Sequence, residues 1–125
     1  MANVLVAGGG IGGLSAALAC VRVGHRVSVH ERAHEVTEVG AGVQLGPNVV
    51  KILYDWGLQK ALEAVAAFPD QLTVRNAMSG GKLGVLGLGQ VFARRYGAPY
   101  LTIHRADLHS VLLNAAGRHD QISMN

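Results

Sequence analysis

Apolar residues in the first thirty or so positions change their spacing twice, and each change marks an element. Val4-Leu5-Val6-Ala7 is a nearly continuous apolar run, the pattern of a short strand covered on both faces in a parallel sheet. Ile11, Leu14, Leu18 and Val21 then recur at helical spacing, while Gly12, Ala16 and Ala19 keep part of that surface small enough for close packing. Gly24 fits a helix stop, and Arg22, His25 and Arg26 put positive charge near the negative end of the helix dipole. From Arg26 to Glu31 the period shortens to two, with Val27 and Val29 alternating with polar residues, so a second strand follows. Strand, helix and strand in that order make a β-α-β unit.

Further along, Gly40-Ala41-Gly42-Val43-Gln44-Leu45-Gly46 is a glycine-spaced extended piece that leads into a helix from Pro47 to Trp56. Pro sits at the first turn of that helix and Gly57 just past its end, the usual asymmetry. Val49, Ile52, Leu53 and Trp56 share one face, and Trp56 is expected in the core. A short helical segment around Lys60 to Ala67 ends at Pro69. Leu72-Thr73-Val74-Arg75 and Lys82-Leu83-Gly84-Val85-Leu86 then flank Ser79-Gly80-Gly81 with period two, which predicts an antiparallel hairpin with a loop longer than the tightest type. Tyr100 to His104 reads as a strand, and Leu108, Val111, Leu112 and Ala115 as an amphipathic helix ending before Gly117. Gln121-Ile122-Ser123-Met124-Asn125 has the look of the start of another parallel strand. The expectation is an α/β fold in three stretches: residues 1–68 as the β-α-β unit and following helices, 69–104 as a β-rich excursion, and 105–125 as a helix and the start of a strand, the sheet being incomplete.

Candidate chemistry gathers between the first strand and the first helix. Five glycines lie in Gly8-Gly9-Gly10-Ile11-Gly12-Gly13, and Gly8, Gly10 and Gly13 match G-x-G-x-x-G. The first permits a tight turn, the second lets the backbone approach a pyrophosphate, and the third lets the helix pack on the strand. A helix starting near Ile11 aims its unpaired N–H groups and positive dipole end at such an anion. Glu31 lies at the end of the second strand, 18 positions beyond Gly13, close to the roughly 20 at which an acidic residue accepts hydrogen bonds from a ribose hydroxyl pair. The competing reading of Glu31 is a solvated charge beside Arg32 and Glu35.

Composition narrows the classes. The stretch from Val4 to Val21 carries no charge, yet Met1-Ala2-Asn3 lacks the basic start of a secretory segment and the five glycines lower the apolarity a spanning helix needs, so a soluble, cytoplasmic protein is expected. The chain is 50% hydrophobic and only 15% charged, an imbalance that leaves some apolar faces expecting cover from elsewhere. A net charge of +3 is mild, and the eight Arg and three Lys are scattered, so no nucleic-acid face is expected. Cys20 is the only cysteine, which excludes an internal disulfide and reads as a buried filler. His104 and His109 are five apart across the junction of strand and helix and lack the same-face geometry of a metal pair, so no metal site is expected. Arg105 stands at that junction; on local grounds it pairs with Asp107 or is solvated, and the alternative is contact with a phosphate or ribityl oxygen.

Taken together, the glycine turn, Val29-His30-Glu31-Arg32-Ala33, the run Gly40 to Asn48, and Arg95-Tyr96-Gly97-Ala98-Pro99-Tyr100 leading to His104-Arg105-Ala106-Asp107-Leu108 resemble single-component FAD-dependent aromatic hydroxylases, the salicylate and 3-hydroxybenzoate hydroxylase branch above all. The resemblance covers essentially the whole chain in family order. It implies a Rossmann-like FAD-binding unit in which Gly8, Gly10, Gly13 and Leu14 hold the pyrophosphate, Glu31 the adenosine ribose, and Arg32 the adenine side. It further implies that Arg105 contacts the ribityl or phosphate portion and that Gly42, Val43 and Gln44 pass near the flavin ring. NAD(P)H is then the co-substrate and a small phenolic acid the substrate; no catalytic residue is assigned. The family's Asp-Gly segment and later Gly-Asp motif have no counterpart here, so the expectation is a partial FAD-binding domain, inactive alone and weak in FAD affinity. An NAD-binding dehydrogenase domain and a non-enzymatic nucleotide-binding fragment are the alternatives; the helix and hairpin after the second strand favour the hydroxylase layout.

Overall fold

A computed structural model of the chain describes residues 1–32 and 40–125. It forms two compact units, one of Met1–Ala41 with Arg105–Asn125 and the other of Gly42–His104.

The first unit is built on a parallel sheet. Strand β1 (Asn3–Ala7) pairs with β2 (Arg26–His30), and β2 pairs on its other side with the C-terminal strand β7 (Ile122–Met124). The register sets Val4 opposite Val27, Val6 opposite Val29 and Val27 opposite Ile122, so alternate positions of all three strands turn apolar side chains to one face. Helix α1 (Ile11–Arg22) closes that face: Ala17, Val21, Val27 and Val29 form its buried centre, with Val4, Val6, Cys20 and Ile122 packed around them. Burying four such side chains contributes on the order of 1.5–3 kcal/mol for each Val and less for Ala. Helix α5 (Arg105–Ala116) packs against α1 and buries Leu108, His109, Leu112, Ala115 and Ala116.

Two expectations change here. The residues that let α1 approach its neighbours are Gly13 and the fully buried Ala17, whereas Gly12, Ala16 and Ala19 are exposed. The apolar run of β1 is covered on one face only among the described residues, since Leu5 on the other face is 68% exposed.

In the second unit, β3 (Gly42–Leu45) pairs antiparallel with β6 (Leu101–His104), and β4 (Gln71–Arg75) with β5 (Lys82–Gly87). The hairpin loop is held by Asn76, whose Oδ1 accepts hydrogen bonds from the N–H groups of Met78 and Ser79 at 2.9 and 3.0 Å. Helices α2 (Pro47–Asp55), α3 (Gln59–Glu63) and α4 (Gln90–Tyr96) complete the unit. Helix α4 has no counterpart in the sequence expectation: it spans only two turns and buries no residue, so its apolar spacing is too short to stand out. The face of α2 is also displaced. Val50 and Leu53 are buried, Val49 and Ile52 are exposed, and Trp56 is half-buried, not in the core. An α-helix carries its inward stripe over about 100°, and a nine-residue segment leaves two neighbouring stripes with similar apolar content.

Candidate functional site

Where β1 hands over to α1 the backbone reverses through Gly8, Gly9 and Gly10. Gly8 has φ +106°, a region closed to most L-residues, and its N–H still reaches across to the His30 carbonyl at 2.7 Å. The turn therefore begins while the sheet ladder is still intact. Gly10 is the helix N-cap in extended conformation, and no side chain caps it. No acidic residue lies in the first turn of α1. The helix thus presents its first N–H groups and the positive end of its dipole without the side-chain acceptor that most helices supply.

Gly13 fixes how closely helix and strand approach. A Cβ built there would lie 1.9 Å from the Gly8 carbonyl oxygen and 3.3 Å from Val6 Cγ1, so only a hydrogen fits between the first turn of α1 and the strand end. Leu14 follows, fully buried, with its N–H donated to the Gly10 carbonyl at 2.9 Å. Its side chain belongs to the core under the turn.

The peptide groups of Gly9 are held from both sides. Its N–H donates to Glu31 Oε2 at 2.6 Å, a charge-assisted bond in a half-buried setting. Its carbonyl accepts from Nε2 of His109 at 2.7 Å. Glu31 is therefore lodged against the glycine turn, directly after β2, and Arg32 follows it with an exposed side chain. A Cβ at Gly9 would meet Glu31 Cβ at 3.2 Å, so the closeness of the carboxylate also depends on glycine there.

Arg105 opens α5 with an exposed side chain, and its N–H donates to the Ala41 carbonyl at 3.3 Å. Its stem lies against Gly40, where an added Cβ would come within 2.7 Å of Arg105 Cβ. Within the first unit, then, the structure brings Gly8, Gly10, Gly13 and Glu31 to one turn. Gly42, Val43 and Gln44 lie in the second unit, on β3, opposite His104, Ile103 and Thr102. Among the described residues no group of three or more His, Cys, Asp or Glu is placed to hold a metal ion, and no helix is long and apolar enough to cross a membrane.

His109 is the site residue that sequence reasoning missed. The spacing from His104 presents it only as a possible ligand or base, yet the buried positions 108, 112, 115 and 116 bracket it on the inner face of α5. A histidine inside an apolar stripe needs a polar partner, and that was the available signal. What could not be read is the partner's identity, a backbone carbonyl 100 residues away.

No family model matches the chain. Individual proteins do. The chain is 46% identical over 113 residues to 3-hydroxybenzoate 6-hydroxylase of Polaromonas naphthalenivorans strain CJ2, a match covering 90% of the chain and 28% of that protein. It is 39% identical over 113 residues to 6-hydroxynicotinate 3-monooxygenase of Pseudomonas fluorescens, covering 90% of the chain and 29% of that protein. Among solved structures, Klebsiella pneumoniae HpxO complexed with FAD and uric acid superposes with a TM-score of 0.81 at 29% identity, covering 98% of the chain and 30% of HpxO. The chain thus spans less than a third of the length of the curated relatives it matches. Over the length it shares with them, the chain is similar to proteins named as a 3-hydroxybenzoate hydroxylase and a 6-hydroxynicotinate monooxygenase, and it superposes on part of a protein solved in complex with FAD.

Proposed function

We propose that the first unit binds the ADP half of FAD and that the protein is an NAD(P)H-dependent monooxygenase hydroxylating a small aromatic acid. The observation that carries the reading is the meeting of Glu31 with the glycine turn: a carboxylate for a ribose diol stands 2.6 Å from the Gly9 N–H, beside uncapped donors for a pyrophosphate.

The donor set fits the group. Around Gly8 no atom of the described residues beyond its chain neighbours comes within 4 Å of an added Cβ, whereas a Cβ at Gly13 would meet the Gly8 carbonyl oxygen, so the open side of the turn is the one assigned to the phosphate. Gly10 and the first residues of α1 supply N–H donors to the phosphates. Glu31 accepts from the ribose hydroxyls: each carboxylate oxygen has two acceptor positions, so Oε2 can keep Gly9 and still take a ligand hydroxyl. Arg32, next along the chain and exposed, is assigned to the adenine side. Arg105, at the start of α5, is assigned to the phosphate or ribityl portion, and Gly42, Val43 and Gln44 to the neighbourhood of the flavin ring. When bound, the flavin supplies the redox and oxygen chemistry; the protein's share is binding, orientation and exclusion of water. The aromatic acid follows from the relatives, which include a 3-hydroxybenzoate 6-hydroxylase and a 6-hydroxynicotinate 3-monooxygenase.

The test is flavin retention by the protein expressed from its full reading frame. The purified protein is expected to carry the flavin absorbance bands. Glu31→Ala is expected to weaken FAD binding roughly tenfold or more, since a hydrogen bond to a charged group contributes about 1.5–3 kcal/mol. Equal retention by wild type and variant would remove Glu31 from the site, and a colourless wild type that takes up no FAD would remove the site itself.

A further inference from the structure

We propose that His109 is a positioning residue for the nucleotide site: by donating from Nε2 to the Gly9 carbonyl it sets the direction in which the glycine turn presents its N–H groups. The inference rests on the reading of that turn as a pyrophosphate cradle.

His109 is 2% exposed, and its Nε2 lies 2.7 Å from the Gly9 carbonyl oxygen. A carbonyl can only accept, so Nε2 carries the proton and the ring is the donor. Burying an imidazole in the apolar face of α5, among Leu108, Leu112 and Ala116, is costly unless its polar atoms are paired. A leucine at this place would complete the stripe formed by its neighbours, so packing alone does not call for histidine.

The geometry of the peptide group shows what the bond accomplishes. In a trans peptide the C=O and the following N–H point in opposite directions. Pinning the Gly9 carbonyl toward α5 therefore turns the Gly10 N–H the other way. The preceding peptide is fixed independently, because the Gly9 N–H is held by Glu31. Two successive peptide planes in a run of three glycines, the sequence with the widest conformational freedom, are thus each fastened by a side chain from a different element. Binding an anion to N–H groups already aligned avoids the ordering cost that a free glycine turn would incur.

The variants are His109→Leu, which removes the donor; His109→Gln, whose amide nitrogen reaches about as far as Nε2; and His109→Asn, whose amide falls short. In the protein expressed from its full reading frame, affinities for ADP and for adenosine are compared. His109→Leu is expected to lower ADP affinity about tenfold while leaving adenosine affinity within twofold, and His109→Gln to restore ADP affinity. Should His109→Leu not fold, Gln against Asn carries the comparison, with Asn expected to be the weaker for ADP alone. Equal ADP affinity in wild type and His109→Leu, or in Gln and Asn where Leu does not fold, overturns the proposal. A parallel loss for both ligands also overturns it, because that marks general loosening of the fold. Wild-type protein that binds neither ligand refutes the nucleotide reading, and this inference with it; Glu31→Ala, expected to lose both, separates the two readings.

Discussion

Replacing Gly13 with Ala probes the close approach on which the glycine turn depends. The added methyl would sit 1.9 Å from the Gly8 carbonyl oxygen and 3.0 Å from the Gly8 carbonyl carbon, whereas Cβ contacts under 3.0 Å are essentially never observed. The first turn of α1 must therefore move off the strand end by about 1.1 Å to reach even the closest contact seen in practice. Both partners are backbone, so no side chain can swing aside. Overpacking of this kind costs about 1–3 kcal/mol, and a backbone clash belongs at the upper end. Against it stands the gain of up to ~1 kcal/mol for Ala over Gly in a helix, leaving a net loss of about 2 kcal/mol. Gly12 is the internal control: it lies in the same turn, is exposed, and has nothing among the described residues within 4 Å of an added Cβ, so Gly12→Ala retains the gain alone. The two variants should then differ by about 3 kcal/mol, or roughly 10 °C in melting temperature for a chain of this size. Thermal unfolding followed by circular dichroism measures this directly. A Gly13→Ala protein that melts at or above wild type, or above Gly12→Ala, would show that the helix does not rest on the turn as described.

Two further outcomes concern the second unit. The Tyr54 phenol is held above its ordinary value of about 10, first by burial and then by the charge of Glu63. The folded state thus keeps a proton that the unfolded state releases, so this contribution to stability is present below about pH 10 and is lost as pH rises through the folded value. Denaturant midpoints measured from pH 9 upward should fall less steeply in Tyr54→Phe than in wild type, and identical slopes would contradict the assignment. Asn76→Ala removes the acceptor for Met78 and Ser79 in the hairpin loop, at an expected cost of about 1 kcal/mol. Faster exchange of the backbone amide at position 76, which in the wild type donates to the Gly81 carbonyl at 2.8 Å, is the local signature, and unchanged exchange there would count against it.

The sequence disclosed most where a local pattern coincides with a tertiary requirement. Gly8 to Gly13 is such a place, because the turn, the close approach and the helix start are all demanded within a few residues. The alternation of Val27 and Val29 likewise gave the inward face of β2. Legibility failed where the deciding partner is remote. Pairing of β3 with β6 joins residues some sixty positions apart, and nothing in either tetrapeptide names the other. The inner face of α2 carries Val50 in place of the Val49 that the spacing predicts, because the two are chemically alike and only their neighbours distinguish them. His109 lay in plain view in a stripe of leucines, but its meaning resides in the Gly9 carbonyl.

The claim on which the account turns is that nucleotide phosphate lands on the first turn of α1. Titrating isotope-labelled protein from the full reading frame with FAD, while following backbone amide resonances, tests it most directly. The account predicts that Gly10, Ile11 and Gly12 shift first and furthest, with Glu31 following. Shifts centred on the second unit, with the glycine turn unmoved, would contradict it.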